Sequence, residues 1–209
     1  MTFELNFKKA LHDLPDAEKD KLILRLLRRD LKLAKRLQFE LIDNESIEEK
    51  RNELEKQLIQ RINLGLTHNF SVDSLLQELR NMSGMITEHL FVTKDKFGEI
   101  SLNLKILNQI LTVNSGRIQA ASPKKSYSLC IYIIARIYKV LVLMQKLHED
   151  LLLDFKDDLE NIGNLIGSND SMMHIAIKNG LDVNWLIHFN IPDNMDTRQK
   201  ELRAKGFLR

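Results

Sequence analysis

The chain has 209 residues, 44% of them hydrophobic and 29% charged, with a formal net charge of +2 at pH 7. This composition is typical of a soluble globular protein, and the near-neutral charge gives no overall attraction to nucleic acid or membranes. The single cysteine, Cys130, excludes a disulfide framework within the chain. Three prolines and eight glycines are few for a turn-rich β architecture, so we expect an all-α protein. Its first residues lack a signal peptide's apolar segment, which predicts a cytoplasmic location.

Apolar residues at three-to-four spacing predict helices throughout the first 42 residues. A short helix comes before Pro15, and this proline fits the first turn of the next helix. The second helix either continues to Ile42 or bends near Asp30, where the aspartate would cap a further segment. Both possibilities stay open at this point.

The other side of this second helix is strongly basic. Between residues 21 and 36, which we call the basic segment, seven basic residues and one acid give a local charge of +6. The basic residues are Lys21, Arg25, Arg28, Arg29, Lys32, Lys35 and Arg36. One interpretation is a solvated or internally paired face. The alternative is a phosphate or nucleic-acid surface using Arg25, Arg28 and Lys32, although no aromatic residues interleave for base stacking, so we do not expect nucleic acid as a partner.

Three more helices are predicted before residue 123. Ser46 and Glu49 form a capping-box pattern that starts a helix ending near Gly65. The next helix begins at Ser71 or Asp73, and Gly84 weakens its middle. A further helix covers residues 99–113, with a short strand at residues 100–104 as the weaker alternative.

The next segment, residues 127–144, is apolar except for Ser128, Arg136 and Lys139. As a membrane span it would hold both charges near mid-bilayer, where each costs a few kcal/mol. We therefore predict a helix buried in a soluble bundle and no membrane partner. The predicted central helix runs from about residue 123 to 160.

Its second half is acidic. Residues 149–160, which we call the acidic segment, contain six acids and one base, Lys156, for a local charge of −5. On one continuous helix, Asp150, Asp154 and Asp157 would share a face with Arg136, Lys139 and Lys146, which is typical of a stripe exposed to solvent. The functional alternative is a Mg²⁺ site for nucleotide hydrolysis, with Glu149 as general base. No cofactor is expected apart from Mg²⁺ under that alternative.

The remaining residues, 166–209, predict a small helical element packed on the bundle formed by residues 1–165. Two short helices at residues 171–179 and 182–189 surround Gly180, at a spacing near that of a helix-turn-helix. The second of them has no Arg or Lys to reach base edges. We expect a packing element anchored by Trp185, followed by a last helix that stops at Gly206.

Three stretches, residues 94–103, 131–138 and 179–186, together resemble a family of small bacterial all-helical proteins of unassigned function. Some members of that family carry a deoxyuridine-triphosphate hydrolase label, and the likeness spans most of the chain. The resemblance implies an all-α fold. All-helical nucleoside triphosphate pyrophosphatases pair a Glu-Glu-x-x-Glu helix with a Glu-x-x-Asp helix, whereas this chain has Glu48-Glu49 with Glu53, and Asp154-x-x-Asp157. No site residue is transferred.

These patterns lead to one favoured function and two alternatives. We expect a helical protein-interaction or scaffold protein that binds a protein partner or associates with itself as a dimer. The first alternative is a Mg²⁺-dependent nucleoside triphosphate hydrolase using the carboxylates of the acidic segment. The second is nucleic-acid binding through the basic segment.

Overall fold

The computed structural model describes residues 2–68 and 70–208. This part of the chain contains eleven α-helices, two short 3₁₀ segments and no strand, so the predicted all-α multi-helix fold is confirmed. The α-helices are α1 (Leu5–His12), α2 (Asp16–Leu27), α3 (Leu31–Leu41), α4 (Ile47–Thr67), α5 (Val72–Thr93), α6 (Lys96–Ala120), α7 (Pro123–Met144), α8 (Lys156–Gly167), α9 (Asp170–Lys178), α10 (Asn184–Ile187) and α11 (Met195–Ala204). The 3₁₀ segments are Glu149–Leu151 and Leu153–Phe155.

The chain divides into two compact units. The first unit comprises Met1–Asn44 and Phe91–Thr93, and the second comprises Glu45–Leu90 and Lys94–Arg209. Residues on both sides of 165 therefore belong to the second unit, whose C-terminal helices contact α7 and α8. Helices α1, α2 and α3 thus belong to the first unit, and the boundary along the chain lies after α3.

The first unit resolves the open question about its second helix. The chain bends after Leu27, and Asp30 caps α3 by accepting a hydrogen bond from the backbone N–H of Leu33 at 3.0 Å. An aspartate in this position satisfies an N–H group that the helix itself leaves without a partner. None of the residues of α1, α2 or α3 is buried.

The second unit contains every buried apolar residue of the described chain. The predicted capping box starts it: Ser46 Oγ accepts from the Glu49 N–H at 3.1 Å, and Glu49 Oε2 accepts from the Ser46 N–H at 2.7 Å. Helices α6 and α7 lie at the centre of this unit. Helix α6 contacts α4, α7, α8 and α9. Helix α6 extends over residues 96–120, so the residues weighed as a short strand are helical.

Helix α7 is the buried apolar helix predicted from the sequence. Among the described residues, one segment, Lys124–Met144, is long and apolar enough to cross a membrane, and 61% of an apolar window of 18 residues within it is buried inside the protein. Burial of this extent is typical of the core helix of a soluble protein. The two charged residues within residues 127–144, Arg136 and Lys139, are each only partly exposed.

The predicted extent of the central helix, to about residue 160, is wrong. Helix α7 ends at Met144, and two 3₁₀ segments separate it from α8, which begins at Lys156. Acidic groups are unfavourable at the negative C-terminal end of a helix and favourable at a positive N-terminal end. Asp157 and Asp158 accordingly occupy the first turn of α8. The acids therefore start a new helix instead of continuing the old one.

The C-terminal helices pack on α7 through buried polar contacts. Tyr138 Oη of α7 donates to the carbonyl oxygen of Asn179 at 3.2 Å, and Asn179 Oδ1 accepts from the N–H of Leu208 at 2.9 Å. Trp185 is partly buried, and the guanidinium of Arg198 lies over its ring at 5.3 Å from the centroid. The predicted packing role of Trp185 agrees with this placement.

Candidate functional site

The acidic residues singled out from the sequence lie on the surface of the second unit. Glu149, Asp150, Asp154 and Asp157 are all exposed, and the break after α7 distributes them over the two 3₁₀ segments and the start of α8. Asp150 Oδ2 lies 3.2 Å from His148 Nδ1. Within residues 2–68 and 70–208, no group of three or more His, Cys, Asp or Glu side chains is placed to hold a metal ion.

Asp158 is the member of the acidic segment that is embedded in the fold. Its side chain accepts from Asn108 Nδ2 of α6 at 2.8 Å. Burial and the neighbouring charge of Asp157 raise the pKa of Asp158, against the opposing effects of Lys105 and Asn108. The residue joins α8 to α6 and thereby fixes where the new helix begins.

The basic residues singled out from the sequence lie in the first unit. Arg25 belongs to α2, Arg28 follows its last turn, and Lys32 is in the first turn of α3. All three are exposed. At the edges of the basic segment, Lys21 pairs with Glu18 at 3.0 Å and Arg36 pairs with Glu40 at 2.9 Å. The break at Asp30 divides the basic segment between α2 and α3, whereas the sequence also allowed a single continuous helix.

A buried charge cluster at the junction of α4, α5 and α6 escaped the sequence analysis. Asp95 caps α6 by accepting from the N–H of Gly98 at 2.8 Å. Its oxygens also accept from Arg51 of α4 at 2.7 and 2.9 Å, and His89 Nε2 of α5 lies 3.2 Å away. Burial raises the pKa of Asp95, but the hydrogen bonds from His89, Arg51 and Gly98 outweigh it and lower the pKa to about 2. Asp95 is therefore ionised in the folded protein.

A second buried ion pair joins α6 to α7. Lys139 Nζ lies 2.6 Å from Glu99 Oε1, and Glu99 is buried. On the same side of α7, Arg136 donates to Tyr132 Oη at 2.9 Å, and that hydroxyl donates to Ser83 of α5 at 3.1 Å. These contacts place polar residues of α7 between helices, where the sequence analysis expected solvent.

One sequence signal points to these pairs in retrospect. Glu99 and Asn103 stand one turn apart in α6, among the buried apolar residues Ile100, Leu102 and Leu104. A charge buried in such a helix needs a partner from a neighbouring helix, because an unpaired buried charge is very costly. Lys139 of α7 is that partner.

A cavity of about 370 Å³ opens where α5 ends, α6 begins and α7 ends. It has an apolar part and a charged part. Its apolar lining consists of Leu90, Ile100, Leu143 and Leu147, and its charged lining consists of Lys94, Lys96, Lys146 and Glu99. Cavities of a few hundred Å³ with mostly apolar walls and a few polar groups are the usual form of small-ligand sites.

The only cysteine has the structural role predicted for it. Cys130 is fully buried in α7. Burial raises the pKa of its thiol to about 11, against weaker opposing hydrogen bonds from the backbone and Ser126. A thiol in this state is a poor nucleophile, because the thiolate is the reactive form.

Comparisons with known proteins leave the chain without an assigned relative: no family model, no curated protein and no solved structure matches it. The resemblance to small bacterial all-helical proteins therefore stays a prediction. Function has to be argued from the residues and their surroundings.

Proposed function

We propose that this chain acts through protein contacts and that its first unit docks on a second copy of the chain. Supporting this, helices α1, α2 and α3 bury none of their residues although each carries large apolar side chains. Leu31 is 70% exposed and Leu41 77% exposed. The other large apolar residues exposed in α1–α3 and the residues flanking them are Phe3, Leu5, Phe7, Ile23, Leu24, Leu26 and Ile42. Exposed apolar surface on this scale marks sites of protein association.

The lengths of these three helices also favour packing against a partner. Helices α1, α2 and α3 have 8, 12 and 11 residues. Helices shorter than about 12–15 residues are marginal in water unless an apolar face packs against something. A partner surface would supply the packing that these helices lack among themselves.

Charge complementarity is the reason for choosing a second copy as that partner. The basic segment carries +6 and the acidic segment of the second unit carries −5. Both segments also expose leucines: Leu153 of the acidic segment is 68% exposed and Leu151 is exposed as well. Opposite charges around apolar contacts are what a specific interface requires. Because the two surfaces differ, the contact is heterologous, each copy offering one surface to the other.

The test reverses three charges in each segment separately. The first variant is Arg25→Glu/Arg28→Glu/Lys32→Glu, and the second is Asp150→Lys/Asp154→Lys/Asp157→Lys. We expect the wild-type chain to associate, as measured by sedimentation velocity over a range of concentrations, and each variant to associate at least about tenfold more weakly. Mixing the two variants restores opposite charges across the contact, so we expect association to return in the mixture.

A matched control for the first variant carries the same change in charge elsewhere. Lys56, Lys124 and Lys125 are exposed in the second unit, so their triple substitution by Glu is expected to leave association unchanged. A wild-type chain that stays monomeric at every concentration contradicts the proposal. Association that survives both reversals, or that does not return on mixing, contradicts the assigned surfaces.

The two alternatives and the cytoplasmic location stay predictions. A Mg²⁺-dependent hydrolase predicts heat and turnover when Mg²⁺ and nucleoside triphosphates are titrated into the protein. Nucleic-acid binding through the basic segment predicts an affinity that falls steeply with salt. No contact among the described residues favours either of these two functions over protein association.

A further inference from the structure

The cavity between the ends of α5, α6 and α7 has an uneven distribution of charge. Lys96 is the first residue of α6, at the positive end of the helix, where a cation is unfavourable. Glu99, the one carboxylate among the lining residues, is engaged by Lys139. With Lys94 and Lys146 also lining the cavity, its rim carries an excess of positive charge.

The rest of the cavity is apolar. Ile100 is buried, and Leu90, Leu143 and Leu147 are half-buried. These four side chains come from three different helix ends, so the apolar surface is held by the packing of the core. A ligand that fits must therefore bring an apolar body to these residues and an anionic group to the lysines.

We propose that this cavity binds an anionic amphiphile, a single alkyl chain ending in a carboxylate or a phosphate. The alkyl chain covers the four apolar side chains, and the anionic head lies between the ammonium groups of Lys96 and Lys146. Each ammonium contributes a charge-assisted hydrogen bond, the stronger kind of hydrogen bond in proteins. This inference rests on the second unit alone and stands apart from the proposed self-association.

The experiment is calorimetric titration of the full chain with four ten-carbon probes below their micelle-forming concentrations: decanoate, decyl phosphate, decanol and decyltrimethylammonium. We expect one-to-one binding of the two anions and at least about tenfold weaker binding of decanol, which loses the charge-assisted contacts. The cation is expected not to bind. Whichever of decanoate and decyl phosphate binds more tightly identifies the head group.

Two variants and one control locate the site. Lys96→Ala/Lys146→Ala removes two exposed lysines and is expected to weaken decanoate binding about tenfold or more, with unchanged circular dichroism. Leu147→Trp fills the cavity and is expected to abolish binding. The control, Lys124→Ala/Lys125→Ala, removes two exposed lysines from the start of α7 and is expected to bind as the wild type does.

Three outcomes would overturn the inference. Equal binding of decanol and decanoate would mean that the lysines do not recognise an anion. Unchanged binding by both site variants would place the ligand elsewhere. Binding to vesicles of anionic phospholipid without binding of the monomeric probes would indicate a membrane-surface interaction instead of a cavity site.

Discussion

At the scale of single residues, Asp95 is the charge that connects three helices of the second unit. Its carboxylate holds Arg51 of α4, His89 of α5 and the first turn of α6 together. Its side chain is only 4% exposed, so these hydrogen bonds are shielded from water. A buried carboxylate that keeps its charge does so because its partners outweigh the cost of removing it from water.

Asp95→Asn is expected to lower the free energy of unfolding at pH 7 by about 2 kcal/mol, the equivalent of a pKa lowered from 3.8 to about 2. Because the folded-state pKa lies below the unfolded value, this contribution is complete above about pH 4 and is lost as pH falls through 2. Urea unfolding of wild type and variant from pH 7 to pH 2 should therefore give converging stabilities. The exposed Asp193, changed to Asn, is the control and should show little difference at any pH. A constant gap across the range would contradict this account.

At the scale of elements, sequence periodicity predicted most of the helices but not where α7 ends. Apolar spacing identifies which residues face a core, and so it identified α4, α5, α6 and α7. Helix α7 ends at Met144 because the acidic residues that follow are more favourable at the start of a helix than at its C-terminal end. Residues 145–160 contain no proline or glycine to mark this break in the sequence. Lys139 was expected in solvent because its partner Glu99 is forty positions away in sequence and meets it only through helix packing.

Substitution by alanine is expected to change the free energy of unfolding in opposite directions at two helical glycines. A Cβ at Gly98 would lie 1.9 Å from Asp95 Oδ2 and 2.7 Å from Arg51 Nε, whereas a Cβ at Gly84 would meet no atom within 4 Å. Both glycines are inside helices, where alanine normally stabilises by about 0.5–1 kcal/mol. We expect Gly84→Ala to raise the unfolding free energy by that amount and Gly98→Ala to lower it by about 1–3 kcal/mol. Urea unfolding of both variants measures this, and a stabilising Gly98→Ala would refute the cluster geometry.

At the scale of the whole molecule, the division into two units is the feature that sequence patterns concealed. The helices of the first unit are as amphipathic as those of the core, and amphipathicity shows that a face needs covering without showing what covers it. The boundary near residue 165, which followed glycines and polar residues in the chain, stays a prediction. Gly163 packs tightly: a Cβ there would lie 2.7 Å from Ile187, and this close approach ties α8 to the C-terminal helices.

The division predicts that the second unit folds without α1, α2 and α3. A chain beginning at Glu45 keeps every apolar residue that is buried in the described part of the chain, from Leu54 to Leu208, together with the Asp95 cluster. We expect it to unfold in one cooperative transition with a urea midpoint close to that of the full chain, because burial of apolar surface supplies most of the stability. Loss of the cooperative transition would contradict the division into units.

The same shortened chain lacks the basic segment, so it also tests the proposed self-association. Sedimentation velocity should find it monomeric at concentrations where the full chain associates. Persistent association would instead place the contact between copies within the second unit.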